Sequence, residues 1–322
     1  MATRQPIVTL VGHVDHGKSS ILDFIRQSNI VAQEEGGITQ KISSTNLPLS
    51  QVRKITGKLL ETLQINITIP GILFIDTPGH AAFNNLRKRG GNLADIAVLV
   101  IDIKEGIMPQ TLESIEILRS YKTPFIIALN KVDLVSGWRK NNEISLLQNI
   151  KLQSEHTLKE LETRMYEIVG KLSELNFNSD RFDRVDDFTK QISIIPCSAK
   201  TGEGIPELLM VLTGLAQKYL ENSLKIETKG PAKGTILEVK EEKGVGKILD
   251  VIIYDGMLKV GDVIGVATLN EPIFTKLRAI FEQTKGKLQP AKEVYAARGV
   301  LLSAPGLEGA FAGMPFRVVT DN

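Results

Sequence analysis

The residues Gly12-His13-Val14-Asp15-His16-Gly17-Lys18-Ser19 have the types and spacing needed to wrap a polyphosphate. Glycines at both ends let backbone N–H groups curl around phosphate oxygens, Lys18 can reach β- and γ-phosphates, and Ser19, followed by Ser20, offers a hydroxyl to Mg²⁺. Asp76-Thr77-Pro78-Gly79-His80 adds a carboxylate able to hold Mg²⁺ through water and a Gly79 N–H able to sense a γ-phosphate. In Asn130-Lys131-Val132-Asp133, the Asp133 carboxylate can accept from the N1–H and 2-amino group of guanine, a donor pair that adenine lacks, while Lys131 can lie along the base. Ser198-Ala199-Lys200 can present the Ala199 N–H to guanine O6. Taken in this order, the motifs predict a site for GTP or GDP with Mg²⁺. Zinc is not expected at His13 and His16, which have no thiolate or carboxylate company at ligand spacing beyond Asp15.

Each motif follows an apolar run that reads as a strand: Ile7 to Val11, Ile72 to Ile75, Phe125 to Leu129 and Ile192 to Pro196, with Ile96 to Ile103 between them. These runs are rich in Val, Ile and Leu without polar alternation, as expected of parallel strands covered on both faces. A helix is expected over Ser19 to Arg26. A second is expected across Leu158, Leu161, Met165, Ile168, Leu172 and Leu175, whose steps of three and four make one buried stripe. The pattern predicts an α/β P-loop domain with a mostly parallel sheet flanked by helices. The polar stretch Glu221 to Lys233 reads as a linker. From Gly234 onward, short β-type runs punctuated by Asp255-Gly256 and Gly261-Asp262 predict a small antiparallel β-barrel. The expected division is 1–222 for the nucleotide domain and 223–322 for the barrel.

Bulk properties narrow the remaining possibilities. The 322 residues carry 39 Lys and Arg against 37 Asp and Glu, a formal net charge of +2, so any RNA contact must come from local patches rather than overall charge. The single cysteine, Cys197, excludes an intramolecular disulfide and a multi-cysteine zinc knuckle, and it reads as a small buried residue rather than a nucleophile. The chain lacks an amino-terminal apolar run of signal-peptide length and any stretch of about 18 apolar residues. A cytoplasmic protein without a membrane partner is expected.

Six segments carry a family resemblance: VGHVDHGKSS at 11–20, EEGGITQKI at 34–42, FIDTPGHAAF at 74–83, LRKRGGNLADIAVLVIDIKEG at 86–106, NKVD at 130–133 and SAKTGEGIPELL at 198–209. With them, Pro6 to Val318 resembles the archaeal and eukaryotic initiation factor five B family, counterpart of bacterial initiation factor two. The resemblance implies a ribosome-dependent GTP hydrolase of translation initiation, a monomeric switch promoting subunit joining. It implies a first switch at about Val31 to Lys41, in which Thr39 completes the Mg²⁺ shell held by Ser19 and Asp76. It implies a second switch from Gly79 to Phe83, in which His80 positions the attacking water and Val14 and Ile38 form an apolar pair holding that histidine away. The barrel, likened through residues 233–264, would touch the small ribosomal subunit, with Lys243, Lys247, Lys259 and Lys276 as a candidate RNA-facing patch. The family continues into further domains that hold initiator tRNA. This sequence stops at Asn322, so a fragment is expected and initiator tRNA is not an expected partner of it. A tRNA-carrying elongation-type GTPase and a scaffold that senses GTP without hydrolysing it remain as alternatives.

Asp15 is an electrostatic puzzle, because it places a carboxylate in the loop that must wrap a polyphosphate. Two like charges about 4 Å apart repel by about 4 kcal/mol at an effective dielectric near 20. A monovalent cation, Na⁺ or K⁺, held by Asp15 together with phosphate oxygens and a switch carbonyl near Gly36 or Gly37, would remove that repulsion in the GTP state. The competing reading has Asp15 pointing outward and capping a turn.

Overall fold

The computed structural model describes residues 2–26, 43–76, 94–141, 145–220, 223–226, 230–242, 246–269, 271–284 and 287–319. Thr39 and its neighbours Gly36, Gly37 and Ile38, the run Thr77, Pro78, Gly79 and His80, and Lys243 lie outside these described residues.

In the amino-terminal half, β1 (Ala2–Thr3) is followed by β2 (Ile7–Gly12), α1 (Lys18–Arg26), β3 (Ser43–Pro48), α2 (Leu49–Thr56), β4 (Gly71–Asp76), β5 (Ile96–Asp102) and α3 (Pro109–Ser120). Then come β6 (Phe125–Asn130), α4 (Leu146–Leu152), α5 (Glu155–Glu174), β7 (Asn178–Arg181), β8 (Gln191–Pro196) and α6 (Ile205–Tyr219). Seven strands form one sheet in the order β3-β4-β2-β5-β6-β8-β7. Only β3 runs antiparallel to its neighbour. All five strands read from the sequence are present, and β2, β4, β5 and β6 are buried along their whole length, which is why they lack polar alternation. Helix α5 begins where the Ser154 hydroxyl accepts the Thr157 N–H at 3.3 Å and buries Leu161, Met165, Ile168 and Leu172. The expected stripe at 158–175 is therefore a helix that starts three residues earlier.

Among its described residues, the expected linker is paired rather than free at 224–226. Leu224 is fully buried, and β9 (Lys225–Ile226) pairs with β1, returning the chain to its own beginning. Beyond it, β10 (Lys233–Glu242), β11 (Gly246–Asp255), β12 (Met257–Lys259), β13 (Val263–Val266) and β14 (Ile273–Lys276) lead to β15 (Ala279–Thr284), β16 (Lys287–Ala291), β17 (Glu293–Tyr295), β18 (Arg298–Ser303) and β19 (Pro315–Val318). Eight of these form an antiparallel sheet in the order β14-β13-β19-β10-β11-β18-β15-β16, with β12 and β17 as a separate ribbon. The pairings among the described residues run from β14 to β16 without closing, so the barrel is a curled, half-open sheet.

Strand alternation explains how the two halves meet. On β4, Ile72 and Phe74 join the core beneath the helices, while Leu73 and Ile75 point the other way and pack, with Ile7, against Leu237, Ile252 and Ala297 of the curled sheet. The curled sheet thus covers part of a face that a helix layer would otherwise cover. Gln5 donates to the Ala297 carbonyl at 2.6 Å within this contact.

Candidate functional site

The loop of residues 12–18 leaves the carboxyl end of β2 and enters α1, so the first-turn N–H groups of α1 face the loop. Its tight course requires glycine at two positions. Gly12 has φ 138° and a Cβ there would lie 2.3 Å from the Val100 carbonyl oxygen. Gly17 has φ 90° and its Cβ would lie 2.3 Å from the Asn130 amide nitrogen. Lys18 folds back onto the loop, donating to the carbonyls of Gly12 at 3.1 Å and His13 at 2.7 Å. Burial lowers its pKa, and the carboxylates of Asp76 and Asp15 pull in the opposite direction. Asp15 is exposed and has φ 64°, while Val14 is tied to α3 through its N–H and Gln110 Oε1 at 3.3 Å.

His16 is fully buried, and its role was not visible in the motif. Burial lowers its pKa against the pull of Glu105 and other partners, favouring the neutral ring. A neutral ring with the proton on Nε2 donates to Glu105 at 3.0 Å and accepts the Asp102 N–H on Nδ1 at 3.2 Å. His13 stacks edge-on against it with ring centroids 5.0 Å apart.

Asp76 ends β4 beside this loop and is 2% exposed. Burial raises its pKa, and a hydrogen bond from Ser19 works against that rise. Its Oδ1 is buried with no hydrogen-bond partner among the described residues. A carboxylate with one uncompensated oxygen next to a serine hydroxyl is a hard oxygen donor set, and it fits Mg²⁺ better than it fits a closed protein core. Ser20 is half-buried in the first turn of α1.

On the other side of the loop, Asn130 is 1% exposed and joins two motifs, donating to the His16 carbonyl at 2.8 Å and accepting the Ala199 N–H at 3.0 Å. The Ala199 N–H, expected to meet guanine O6, is therefore engaged by Asn130. Lys131 adopts a left-handed backbone, φ 66°, and its ammonium lies 2.7 Å from Asp102 Oδ2. Burial pushes the Asp102 carboxyl upward, yet the Lys131 ammonium and the Lys104 N–H overcome this and hold it below the usual carboxylate range. Asp133 accepts the Ser198 hydroxyl at 2.5 Å, and the same oxygen of Ser198 accepts the Thr201 N–H at 3.1 Å. Lys200 is exposed. Cys197 is fully buried and burial drives its thiol pKa well up, which suits packing and not nucleophilic chemistry.

The loop at 12–18, Asp76, the 130–133 turn and the 198–200 loop all lie at the carboxyl ends of neighbouring parallel strands, where open α/β sheets place ligands. Fold and site define the class as a P-loop α/β nucleotide-binding domain. The chain belongs to the Elongation factor Tu GTP binding domain family, whose model matches residues 3–218. Over its whole length it is 52% identical to a probable translation initiation factor IF-2 of Methanopyrus kandleri, covering 55% of that protein. It is also similar to the crystal structure of GDP-bound aIF5B from Aeropyrum pernix, with 46% identity, a TM-score of 0.90, 99% of this chain and 55% of that one covered. A bacterial selenocysteine-specific elongation factor is 20% identical with a TM-score of 0.64 over 98% of this chain and 45% of that one, which shows a shared fold. The chain thus spans about half the length of the Methanopyrus and Aeropyrum relatives, 55% of each.

Sequence reading missed Gln110, Asp102, Glu105 and Glu203. Asp102 alone had a usable signal, an acid at the end of an apolar strand like Asp76.

Proposed function

We propose that this chain carries the nucleotide switch of a ribosome-dependent GTPase of translation initiation that promotes subunit joining. The observation that carries the reading is the Asn130 clasp. One buried amide fixes the phosphate-wrapping loop and the base-reading loop relative to each other, at 2.8 and 3.0 Å. The names of the Methanopyrus and Aeropyrum relatives support the assignment to initiation. The division falls near residue 222, with the curled sheet from about 223 as the surface offered to the small subunit, and Lys247, Lys259 and Lys276 are exposed there. The protein acts as a cytoplasmic monomer. No helix among the described residues is long and apolar enough to cross a membrane.

In this reading Gly12 to Ser20 cradle the phosphates, and Asp133 and the Ser198 loop meet the guanine, with the Ala199 N–H held by Asn130. Ser19, Asp76 and Thr39 hold Mg²⁺, which supplies charge neutralisation at the β- and γ-phosphates. Thr77, Pro78 and Gly79 carry the γ-phosphate sensor, and His80 orients the water that displaces GDP from the γ-phosphorus. Little covalent work falls to the protein; positioning and charge stabilisation do most of it. Lys18 moves from the Gly12 and His13 carbonyls to phosphate oxygens, exchanging two neutral acceptors for charged ones. The exposed Asp15 is free to share a Na⁺ or K⁺ with the γ-phosphate, and GTP affinity should then depend on which monovalent salt is present while GDP affinity does not. Equal GTP affinity in Na⁺, K⁺ and a bulky organic cation would remove that ion.

The test of the reading is phosphate release from GTP with and without ribosomal subunits, for the parent and His80→Ala. Ribosome-stimulated release that is abolished in His80→Ala, with GTP binding retained, is expected. No stimulation of the parent contradicts the proposal.

A further inference from the structure

The Ser198 hydroxyl both holds Asp133 and receives the Thr201 N–H, so the direction of the Asp133 carboxylate depends on where the 197–204 loop sits. That loop closes on itself through Glu203, whose backbone carbonyl accepts the Ser198 N–H at 2.9 Å. The Glu203 side chain is 9% exposed and gathers donors from three separate segments. Its Oε2 accepts the indole N–H of Trp138 at 3.2 Å and the Thr201 hydroxyl at 3.1 Å, and its Oε1 accepts the Asn149 amide at 2.6 Å. Trp138 follows Asp133 in its own loop, Thr201 belongs to the loop of Ser198, and Asn149 lies on α4.

The surroundings make this a fixed anchor. Helix α4 is held at its start by Glu207, whose Oε1 accepts the Leu146 N–H at 2.8 Å, and at Asn149 by the Arg139 carbonyl at 3.1 Å. The Phe24 ring lies beside Gly202, where a Cβ would lie 2.2 Å from the ring. A carboxylate buried this far is tolerated only when its oxygens are satisfied, and three donors satisfy it.

We infer that Glu203 is a positioning residue for guanine selection: it ties the Asp133 loop, through Trp138, to the Ser198 loop, through Thr201, against the α4 wall, and so aims the Asp133 carboxylate without touching nucleotide. The inference rests on Asp133 being the guanine reader. Loss of the anchor lets the two loops move independently, and the contact to the guanine 2-amino group suffers first, because it requires Asp133 to be aimed rather than merely near.

The test compares GDP with inosine diphosphate, which lacks the 2-amino group, on the full chain. Trp138→Phe keeps an aromatic ring and deletes the donor; Glu203→Gln keeps the volume and replaces one acceptor oxygen. GDP affinity is expected to fall about tenfold in each, the worth of one hydrogen bond to a charged group, with the GDP to inosine diphosphate ratio falling at least about threefold. A purely structural role would lower the melting temperature and leave the ratio at the parent value, and that result overturns the inference. If Glu203→Gln does not fold, the ratio in Trp138→Phe decides alone. Asp133→Asn with xanthosine diphosphate runs alongside. If it fails to shift from guanine to xanthine, the base-reading assignment itself is lost. If it shifts while Trp138→Phe keeps the parent ratio, only the role of Glu203 is lost.

Discussion

The two halves of the proposed nucleotide site are built on opposite plans. On the base side, the polar groups already have partners within the protein: Asn130 bonds the backbone of two loops, Lys131 lies 2.7 Å from Asp102, and Ser198 donates to Asp133 at 2.5 Å. On the phosphate side, Asp76 Oδ1 and His13 Nδ1 are buried without hydrogen-bond partners among the described residues, and Lys18 rests on backbone carbonyls. Selectivity needs a frame set in advance, since a misplaced acceptor loses the very contact that separates guanine from its analogues. Phosphate binding needs groups whose compensation arrives with the charge, because a fully satisfied carboxylate would gain little from a metal.

The largest expected effect attacks the preset frame. Asp133→Asn replaces the acceptor that faces the guanine 2-amino group with an NH₂ donor, which suits the 2-oxo group of xanthine instead, and should cost about 10⁴-fold in GDP affinity while admitting xanthosine diphosphate, as read by competition binding. Unchanged GDP affinity would place the base reader elsewhere. A smaller effect is expected across the divide. Chelating Mg²⁺ should weaken GDP binding by the parent about 100-fold, and Asp76→Asn should remove most of that dependence while leaving guanine preference intact. A variant that kept the parent's response to EDTA would show that Asp76 does not hold the metal. The smallest change is expected from Asp102→Asn, which frees the Lys131 ammonium from a partner 2.7 Å away. GDP affinity should fall about tenfold, with the Mg²⁺ response unaltered. A shift in the Mg²⁺ response instead would mean that the halves are not separable.

The same contrast decides what could be read from the sequence. Strands buried on both faces announce themselves as apolar runs, so β2, β4, β5, β6 and β8 were legible, and with them the loops at their carboxyl ends. Strand β3, Ser-Ser-Thr-Asn-Leu-Pro, is a polar edge whose only fully buried hydrophobic side chain is Leu47, and nothing in its composition separates it from a loop. The stretch after Leu220 looked like a linker because its polar residues outnumber Leu224, which is buried in the core of the first half, and because β1, the partner of β9, lies more than 200 residues away in the chain. The anchor at Glu203 was hidden for a similar reason. Its three donors, Trp138, Asn149 and Thr201, span more than 60 residues, and a carboxylate satisfied from distant segments leaves no local pattern. Conversely, Ala199 was expected to donate to guanine, whereas the structure gives its N–H to Asn130, a pairing that only the fold brings into reach.

The contrast between a set base frame and an uncompensated phosphate loop is tested most directly by amide hydrogen exchange, with and without Mg²⁺ and GDP. The Val132, Ala199 and Thr201 N–H groups, bonded to Cys197, Asn130 and Ser198 at 3.0, 3.0 and 3.1 Å, should be protected before nucleotide is added and gain little from it. The N–H groups of residues 13–18 should gain the bulk of the protection. Equal gains in both regions, or protection arising first in the base loops on nucleotide addition, would contradict the division.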